Sequence, residues 1–429
     1  MKTYRRFIWI IGFLLLANCT NDQKESQALQ VIDIEGSMDK MEVWNLSHFA
    51  SSISYVALET KIENYISYIQ DYREIDKYLI ITNLKQCMLF DNEGKFIRQI
   101  GINGRGPGEY QFIICVGIIN DSILTMQSLY DLINYRIDGS VVNQEKNFFR
   151  LNNSNEEYFL SWIIIDDSLY FGHLPNTTGL IGNKALILNQ ERTVKMAFKN
   201  HILFQREKTV ASSLEDFAHI YPFDKRIFYK EFYNDTMFVL DDDLNLIPKY
   251  VFNLGKFKEP ISERAKLPGQ GSKMSEFLYI WEVFQTDNNL FISCQFGDHF
   301  PAKRLTPRIV NLPDGRSISV TTNTDRALGV FDKKSRILSF SEPTTSDNTL
   351  FSSGLYNDID GGPRFYPTKQ VNDSTMLMWI KADDFLNHIS SDDFKNSSPK
   401  DPEKKKQLEE LAKKVTMFDN PILMYVTFK

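Results

Sequence analysis

Six times along the chain, a short turn rich in Asn, Asp or Ser runs straight into an apolar strand. The copies are Ile75-Asp76-Lys77-Tyr78-Leu79-Ile80-Ile81, Asn120-Asp121-Ser122-Ile123-Leu124, Asp166-Asp167-Ser168-Leu169-Tyr170-Phe171, Asn234-Asp235-Thr236-Met237-Phe238-Val239, Asp287-Asn288-Asn289-Leu290-Phe291-Ile292 and Asn372-Asp373-Ser374-Thr375-Met376-Leu377. One hairpin unit recurring along a chain is the signature of a propeller or a solenoid. A second strand and a second turn follow each start. Residues 86–90 lead into Asp91-Asn92-Glu93-Gly94, 132–137 into Asp138-Gly139, 185–188 into Asn189-Gln190-Glu191, 238–240 into Asp241-Asp242-Asp243, and 328–331 into Asp332-Lys333-Lys334. Such turns suit hairpins, because Asx side chains bond nearby backbone and Gly accepts positive φ.

A chain of 429 residues with six starts has units longer than the ~40–45 residues of a minimal four-stranded blade. Loops must absorb the excess, and 196–232 and 294–327 are the expected insertions. A solenoid needs caps, whereas a propeller closes on itself. The terminal strand 421–428 has no later partner, and the strand 53–58 precedes the first start. Pairing them removes two open sheet edges. The chain is 42% hydrophobic, with 32 Phe and 19 Tyr, ample material for a packed β interior. The expected fold is all-β: a six-bladed β-propeller of four-stranded antiparallel blades, closed by N- and C-terminal strands, with one short C-terminal helix. Asp401 suits that helix as N-cap and Pro402 its first turn, while Leu408, Leu411, Ala412 and Val415 share a face.

The N-terminus is a targeting segment. Lys2, Arg5 and Arg6 precede an apolar stretch, 7–17, too short for a comfortable membrane span. Leu16-Ala17-Asn18-Cys19 resembles the bacterial lipobox, with Asn18 where Gly, Ala or Ser is usual. The expected layout is a lipoprotein signal peptide over 1–18, a lipidated Cys19 opening a flexible tether over 19–30, and the propeller over 31–429. Gln23-Lys24-Glu25 resembles a short surface-export signal. The chain is therefore expected in the outer membrane, on its cell-surface or periplasmic face, with the membrane as a partner through the acyl anchor. Cys87, Cys115 and Cys294, an odd number, form no disulfide framework. A net charge of −6 lacks the basic footprint of a nucleic-acid binder.

Gly101 to Tyr110 carries the sharpest local motif, Gly104-Arg105-Gly106-Pro107-Gly108-Glu109-Tyr110. It matches neither a Walker loop nor G-x-G-x-x-G, and Pro107 has no N–H to donate. It reads as a tight inter-blade turn with Tyr110 anchoring the next blade; Arg105 and Glu109 are candidates for the mouth of the funnel. This element resembles the Gly-x-x-Gly-x-Gly-Pro-Gly-Glu-Tyr element of the six-bladed β-propeller lipoproteins of Bacteroidetes, distant relatives of NHL-repeat propellers. Residues 46–60, 232–254, 354–363 and 420–424 resemble that family as well. The resemblance implies fold and envelope location; the family is largely without assigned activity and supplies no catalytic residues.

Asp358 and Asp360, beside Asn357 and before Gly361-Gly362, are the candidate Ca²⁺ ligands. The full EF-hand pattern is absent, and local turn caps are the commoner use of such residues; no other cofactor is expected. The six His are dispersed, with no His-Glu-x-x-His and no G-x-S-x-G elbow, so no catalytic residue is assigned. Tyr110, Trp162, Tyr170, His173, Trp281 and Phe365 lie near strand ends, where packing between blades is their commoner role. The leading expectation is a non-enzymatic binding or scaffold module for a glycan, peptide or protein partner. The alternative is a hydrolase or lyase working on polysaccharide or a lactone in the funnel. Two or more carboxylates at the axis would favour the enzyme, a shallow aromatic face the binding module, and an exposed apolar patch a structural partner.

Overall fold

A computed structural model describes residues 29–151, 157–166, 168–206, 216–266, 274–300, 305–311, 317–323, 325–344 and 350–429. The chain opens with β1 (Gln30–Asp33), β2 (Met41–Glu42), α1 (Leu46–Phe49) and β3 (Ala50–Ala57). Blade I then runs β4 (Asp71–Ile75), β5 (Tyr78–Thr82), β6 (Cys87–Asp91), β7 (Phe96–Gln99), and blade II β8 (Ile113–Ile119), β9 (Ile123–Ser128), β10 (Asp131–Arg136), β11 (Val141–Glu145). Blade III holds β12 (Ser161–Ile165), β13 (Leu169–His173), β14 (Asn183–Asn189), β15 (Val194–Lys199), and blade IV β16 (Ala218–Phe223), β17 (Arg226–Glu231), β18 (Thr236–Leu240), β19 (Leu246–Asn253). After α2 (Ile261–Arg264), blade V takes β20 (Tyr279–Gln285) and β21 (Asn289–Gln295), diverts into the hairpin β22 (Leu305–Asn311)–β23 (Ser317–Asn323), and resumes with β24 (Arg326–Asp332) and β25 (Ile337–Ser341). Blade VI has β26 (Lys369–Gln370), β27 (Thr375–Ile380), three helices, α3 (Ala382–Ser390), α4 (Asp392–Asn396) and α5 (Pro402–Ala412), and β28 (Ile422–Phe428).

Strand order makes this a ring of six antiparallel blades with β4, β8, β12, β16, β20 and β26 innermost. Closure is as expected: β3 pairs antiparallel with β28, Ile422 opposite Ala57 and Val426 opposite Ile53. Two additions were not legible. Before closing the ring, the N-terminal segment adds β1 parallel to β19 and β2 parallel to β25. It thereby covers the outer edges of blades IV and V, which would otherwise stand open.

Each of the six junctions between blades holds its own cluster of buried side chains. A blade shows apolar residues on both faces because each face packs on a neighbour, so its second and third strands read as unbroken apolar runs, such as Leu290 to Ile292 in β21.

The second turns behave as their Asx residues dictate. Asp91 Oδ1 accepts from the Glu93 and Lys95 amides at 3.0 and 2.9 Å, and Asp241 Oδ1 from the Asp243 and Asn245 amides at 3.0 and 2.7 Å. Five of the six starts lie in first turns, between the first and second strands of their blades, and Asp76, Asn120 and Asp166 take positive φ there. The fourth is displaced by one strand: Asn234-Asp235-Thr236 joins β17 to β18. The first turn of blade IV is Asp224-Lys225, both at positive φ, the same dipeptide as Asp76-Lys77.

The expected insertion at 196–232 shrinks to 200–217, because β15, β16 and β17 occupy its flanks. A third insertion, between β27 and β28, carries α3 and α4 besides the expected α5. Asp401 accepts from the Lys404 amide at 3.1 Å, and Leu408 is buried.

Candidate functional site

The inner strands are clasped to one another by side chains all the way round the axis. Gln70 Nε2 donates to the Ile113 and Ile114 carbonyls at 3.1 and 3.0 Å, and Arg73 Nε to the Val116 carbonyl at 3.1 Å, joining blades I and II. Cys115 Sγ reaches the Trp162 carbonyl at 3.5 Å, and Ser161 Oγ accepts from the Ala218 amide at 3.5 Å. His219 Nε2 lies 3.1 Å from the Val283 carbonyl. Gln370 accepts from the Gln285 amide at 3.1 Å and donates to its carbonyl at 2.9 Å. Lys369 donates to Asp71 and completes the circle from blade VI to blade I.

That last clasp is the centre of a charged cluster. The other Asp71 oxygen pairs with Arg73 at 3.0 Å. Burial alone would push the Asp71 carboxyl up, but Arg73 and Lys369 hold it below its ordinary value. The Lys369 ammonium is itself lowered, by burial and then by the neighbouring Arg73. Its charge is also felt by Cys115, His219 and Glu282. Burial depresses His219 to about 3, with Lys369 adding to the effect, so this ring is neutral at physiological pH.

Glu282 moves the other way, pushed up to about 7 by burial, with Arg326 and Lys369 moderating the rise. No hydrogen bond or ion pair holds its carboxyl among the described residues. Arg326 stacks 3.7 Å over Trp281, the residue beside it on β20. The innermost strands thus carry three carboxylates, Asp71, Glu74 and Glu282, the first pushed down and the last up, with two cations, Arg73 and Lys369. Arg73 and Lys369 keep 25% and 22% of their side chains exposed, so this cluster meets solvent.

None of these residues was singled out from sequence. A signal existed in Asp71-Tyr72-Arg73: two charges at period two in an innermost strand, where β8 and β12 are apolar. Lys369 and Glu282 carried none, because their meeting depends on ring closure.

The sequence candidates lie elsewhere. Cys19 is outside the described residues. The 101–110 loop packs on the outer strands of blade II: Tyr135 Oη donates to the Gly108 carbonyl at 2.9 Å, and the Gly108 amide to Gln144 Oε1 at 2.9 Å. Glu109 Oε2 accepts from the Gly106 amide at 2.7 Å, Tyr110 is fully buried, and Arg105 is exposed. At Gly101, φ is +67° and a Cβ would stand 2.7 Å from the Tyr135 hydroxyl, so no other residue fits.

Asp358 accepts from the Ser47 amide and hydroxyl at 2.9 and 2.6 Å and pairs with Lys400 at 3.0 Å. Asp360 accepts from the Gly362 amide at 2.8 Å, from Asn357 at 2.6 Å and from the Tyr55 hydroxyl at 3.3 Å. Among the described residues no three of His, Cys, Asp and Glu gather to hold a metal.

These bonds explain much of the resemblance noted above. The stretches 46–60, 354–363 and 420–424 meet at the closure of blade VI. The Leu46 amide donates to the Tyr356 carbonyl at 2.7 Å. Asn420 accepts from the Ile66 amide at 2.7 Å and donates to the Glu59 and Asn64 carbonyls at 2.9 and 3.1 Å. Trp162, Tyr170, His173 and Phe365 are likewise buried between blades, and Trp281 is half-buried under Arg326.

With fold and axis in view, comparison with known proteins decides the family. The model of the domain of unknown function DUF4934 matches residues 29–427. The chain belongs to the DUF4934 family. This DUF4934 chain is similar to a crystal structure of a Bacteroides fragilis protein described as exported, at 16% identity and TM-score 0.63, covering 94% of this chain and 99% of that one. It is also similar to a DUF4221 family member from Bacteroides vulgatus, at 11% identity and TM-score 0.50, covering 89% and 97%. These likenesses are of fold. No curated protein matches the DUF4934 chain.

Proposed function

We propose that this DUF4934 chain is a lipid-anchored binding module of the cell envelope whose ligand docks over the axial cluster. The observation that carries this reading is the Lys369–Asp71–Arg73 group: charged, partly exposed, and shared between the first and last blades. The group clasps blade VI to blade I, and the partial exposure of both cations lets a ligand reach them.

The anchor fits the same reading. The lipobox-like segment assigns lipidation to Cys19, and acyl chains contribute about 0.8 kcal/mol per buried methylene. The first strand, β1, lies on the outer edge of blade IV. Fully extended, the residues between Cys19 and β1 span at most about 35 Å. Among the described residues no helix is long and apolar enough to cross a membrane.

The test is a thermal-shift screen of the full chain against glycans, peptides and divalent cations, with and without chelator. A ligand bound only by the native state raises the melting temperature. The reading expects a shift that Lys369→Met abolishes; a shift that survives this change places the ligand elsewhere. A Ca²⁺ shift reversed by chelator and lost in Asp358→Asn or Asp360→Asn would instead assign a cation to those residues.

A hydrolase or lyase is the second reading, favoured by one feature. Asp71 is pushed down and Glu282 up, the divergence that separates a carboxylate from a general acid. Both Asp71 oxygens are engaged by cations, however, which weighs toward binding. Turnover of any ligand from the screen, lost in Glu282→Gln, would reverse the order of the two readings.

A further inference from the structure

We infer that the molecule docks on a lipid surface through two apolar turn tips where blades VI and I meet, so that the axial mouth opens beside the leaflet. The inference rests on the lipid-anchor reading and adds which face meets the lipid.

The tips are Ile62, in the link from β3 to β4, and Met417-Phe418, between α5 and β28. They are 100%, 58% and 75% exposed. Turn tips ordinarily take Gly, Pro, Asn, Asp or Ser, and neither turn needs the apolar side chains it carries. In the first, the Asn64 amide donates to the Lys61 carbonyl at 3.2 Å and the Lys61 amide to Asn64 Oδ1 at 2.5 Å. In the second, the Asp419 amide donates to the Thr416 carbonyl at 3.1 Å and the Thr416 amide to Asp419 Oδ2 at 2.6 Å. Asn420 bonds the two turns into one piece, donating to the Asn64 carbonyl at 3.1 Å and to the Thr60 hydroxyl at 2.8 Å. A rigid apolar patch on a folded surface marks a site of interaction.

Shape, charge and reach commit the patch to lipid. Its side chains stand on convex tips. Ile62, exposed on all sides, is covered by a phase that flows round it rather than by a stacked sugar ring or a flat protein face. Tyr65 and Tyr68, half-exposed on the same link, each present an apolar ring and a polar hydroxyl, as residues at a membrane interface do. Charge beside the tips is already answered: Lys61 pairs with Glu59 at 3.3 Å and Lys413 with Glu410 at 2.5 Å. Recognition therefore falls to apolar area, as in the shallow insertion of apolar side chains into a leaflet.

The anchored end of the chain reaches the same surface. Loops entering the inner strands, and loops joining second to third strands, emerge at the same end of an antiparallel blade. Both tips lie at that end, as do Asp71 and Lys369, the first residues of β4 and β26. β1 runs toward it beside β19, with Gln30 opposite Tyr250 and Asp33 opposite Asn253, the last residue of β19. Gln30 thus stands only about 10 Å short of the end of β19. The span of at most about 35 Å from Cys19 exceeds this, so an acyl chain on Cys19 and the tips reach one leaflet together. Such a tether holds lipid at high effective concentration, which favours a weak contact. The tips adjoin β28, the third strand of blade VI, and so stand to one side of the mouth.

The experiment reads tryptophan emission from the full chain, purified with its anchor and placed in phosphatidylcholine vesicles whose acyl chains carry bromine, a quencher. Phe418→Trp reports on the tip; Ile337→Trp, exposed at the opposite end of blade V, is the control. Expected is quenching at 418 that is absent at 337, persists at about 1 M salt, where charge is screened, and weakens when Ile62→Asp is added, with the melting temperature unaltered. Equal quenching at both positions, or none at 418, would overturn docking by the tips. Self-association without quenching would give the patch to a second copy and overturn the lipid. An unmodified Cys19 in the mass spectrum of the same sample would overturn the anchor reading, and shows independently of the quenching. Lys369→Met is expected to leave the quenching intact, so the axial site and the tips stand or fall separately.

Discussion

Asn420 shows how much one side chain can hold. It is 1% exposed and joins the Ile66 amide, the Glu59 carbonyl and the Asn64 carbonyl, while its own amide donates to Thr60. Its loss leaves the Ile66 amide and the Asn64 carbonyl without partners, each expensive in a dry interior, while the Glu59 carbonyl keeps the Asn64 side-chain amide at 2.9 Å. Asn420→Ala is expected to lower stability by about 2–4 kcal/mol, measured by urea unfolding; a loss below about 0.5 kcal/mol would show that water replaces the side chain. Glu282 makes a prediction of the opposite sign. Its folded pKa, about 7, lies above the ordinary 4.5, so the folded state holds its proton more tightly than the unfolded chain. That contribution is complete below about pH 4.5 and is lost as pH rises through about 7. Glu282→Gln should therefore match the native protein in acid and exceed it at pH 8 by roughly 1–2 kcal/mol, a figure reduced for channel water. Equal pH dependence of the two proteins would place Glu282 in ordinary solvent. At this scale the sequence offered Asp358 and Asp360 as candidate metal ligands and Glu109 for the funnel mouth, each beside a commoner role in a turn. The structure finds them holding backbone amides and side chains, because oxygen-rich residues beside glycines serve turns as readily as ligands.

Among the elements, α5 separates what capping contributes from what burial contributes. Asp401→Ala removes one N-cap bond and should cost about 1 kcal/mol. Leu408→Ala empties a buried position and should cost about 2–4 kcal/mol. Urea unfolding of the two variants should preserve this order; the reverse would mean that α5 is held by its cap rather than by its packing on blade VI. This helix was legible because its cap, its Pro at the first turn and its apolar face agree. Its neighbour α3 carries Ala382, Phe385, Leu386 and Ile389 at helical spacing, but Asp, Asn and Ser around them favour turns, and burial of Ala382 and Phe385 decides the contest. The misplaced start in blade IV has a similar origin. Asn234-Asp235-Thr236 and Asp224-Lys225 are both good turns, and a turn phrase alone does not say which pair of strands it joins.

For the whole molecule, the ring was legible and its axis was not. Repeat starts, Asx turns and two unpartnered terminal strands are local facts, and together they call for closure. The pairing of Ala50–Ala57 with Ile422–Phe428 follows from them. The axial cluster joins residues 71, 73, 282 and 369, from the first, fifth and sixth blades, so only a closed ring creates it. The parallel strands β1 and β2 were hidden for a related reason: each is short and takes meaning from the edge it covers. The central claim is that the molecule binds where those blades meet. A crystal structure of the protein grown with the ligand that the thermal-shift screen yields tests it most directly. The account predicts that ligand within hydrogen-bonding distance of Lys369 Nζ or the Arg73 guanidinium; a ligand ordered elsewhere, or an axis empty at saturating ligand, would contradict it.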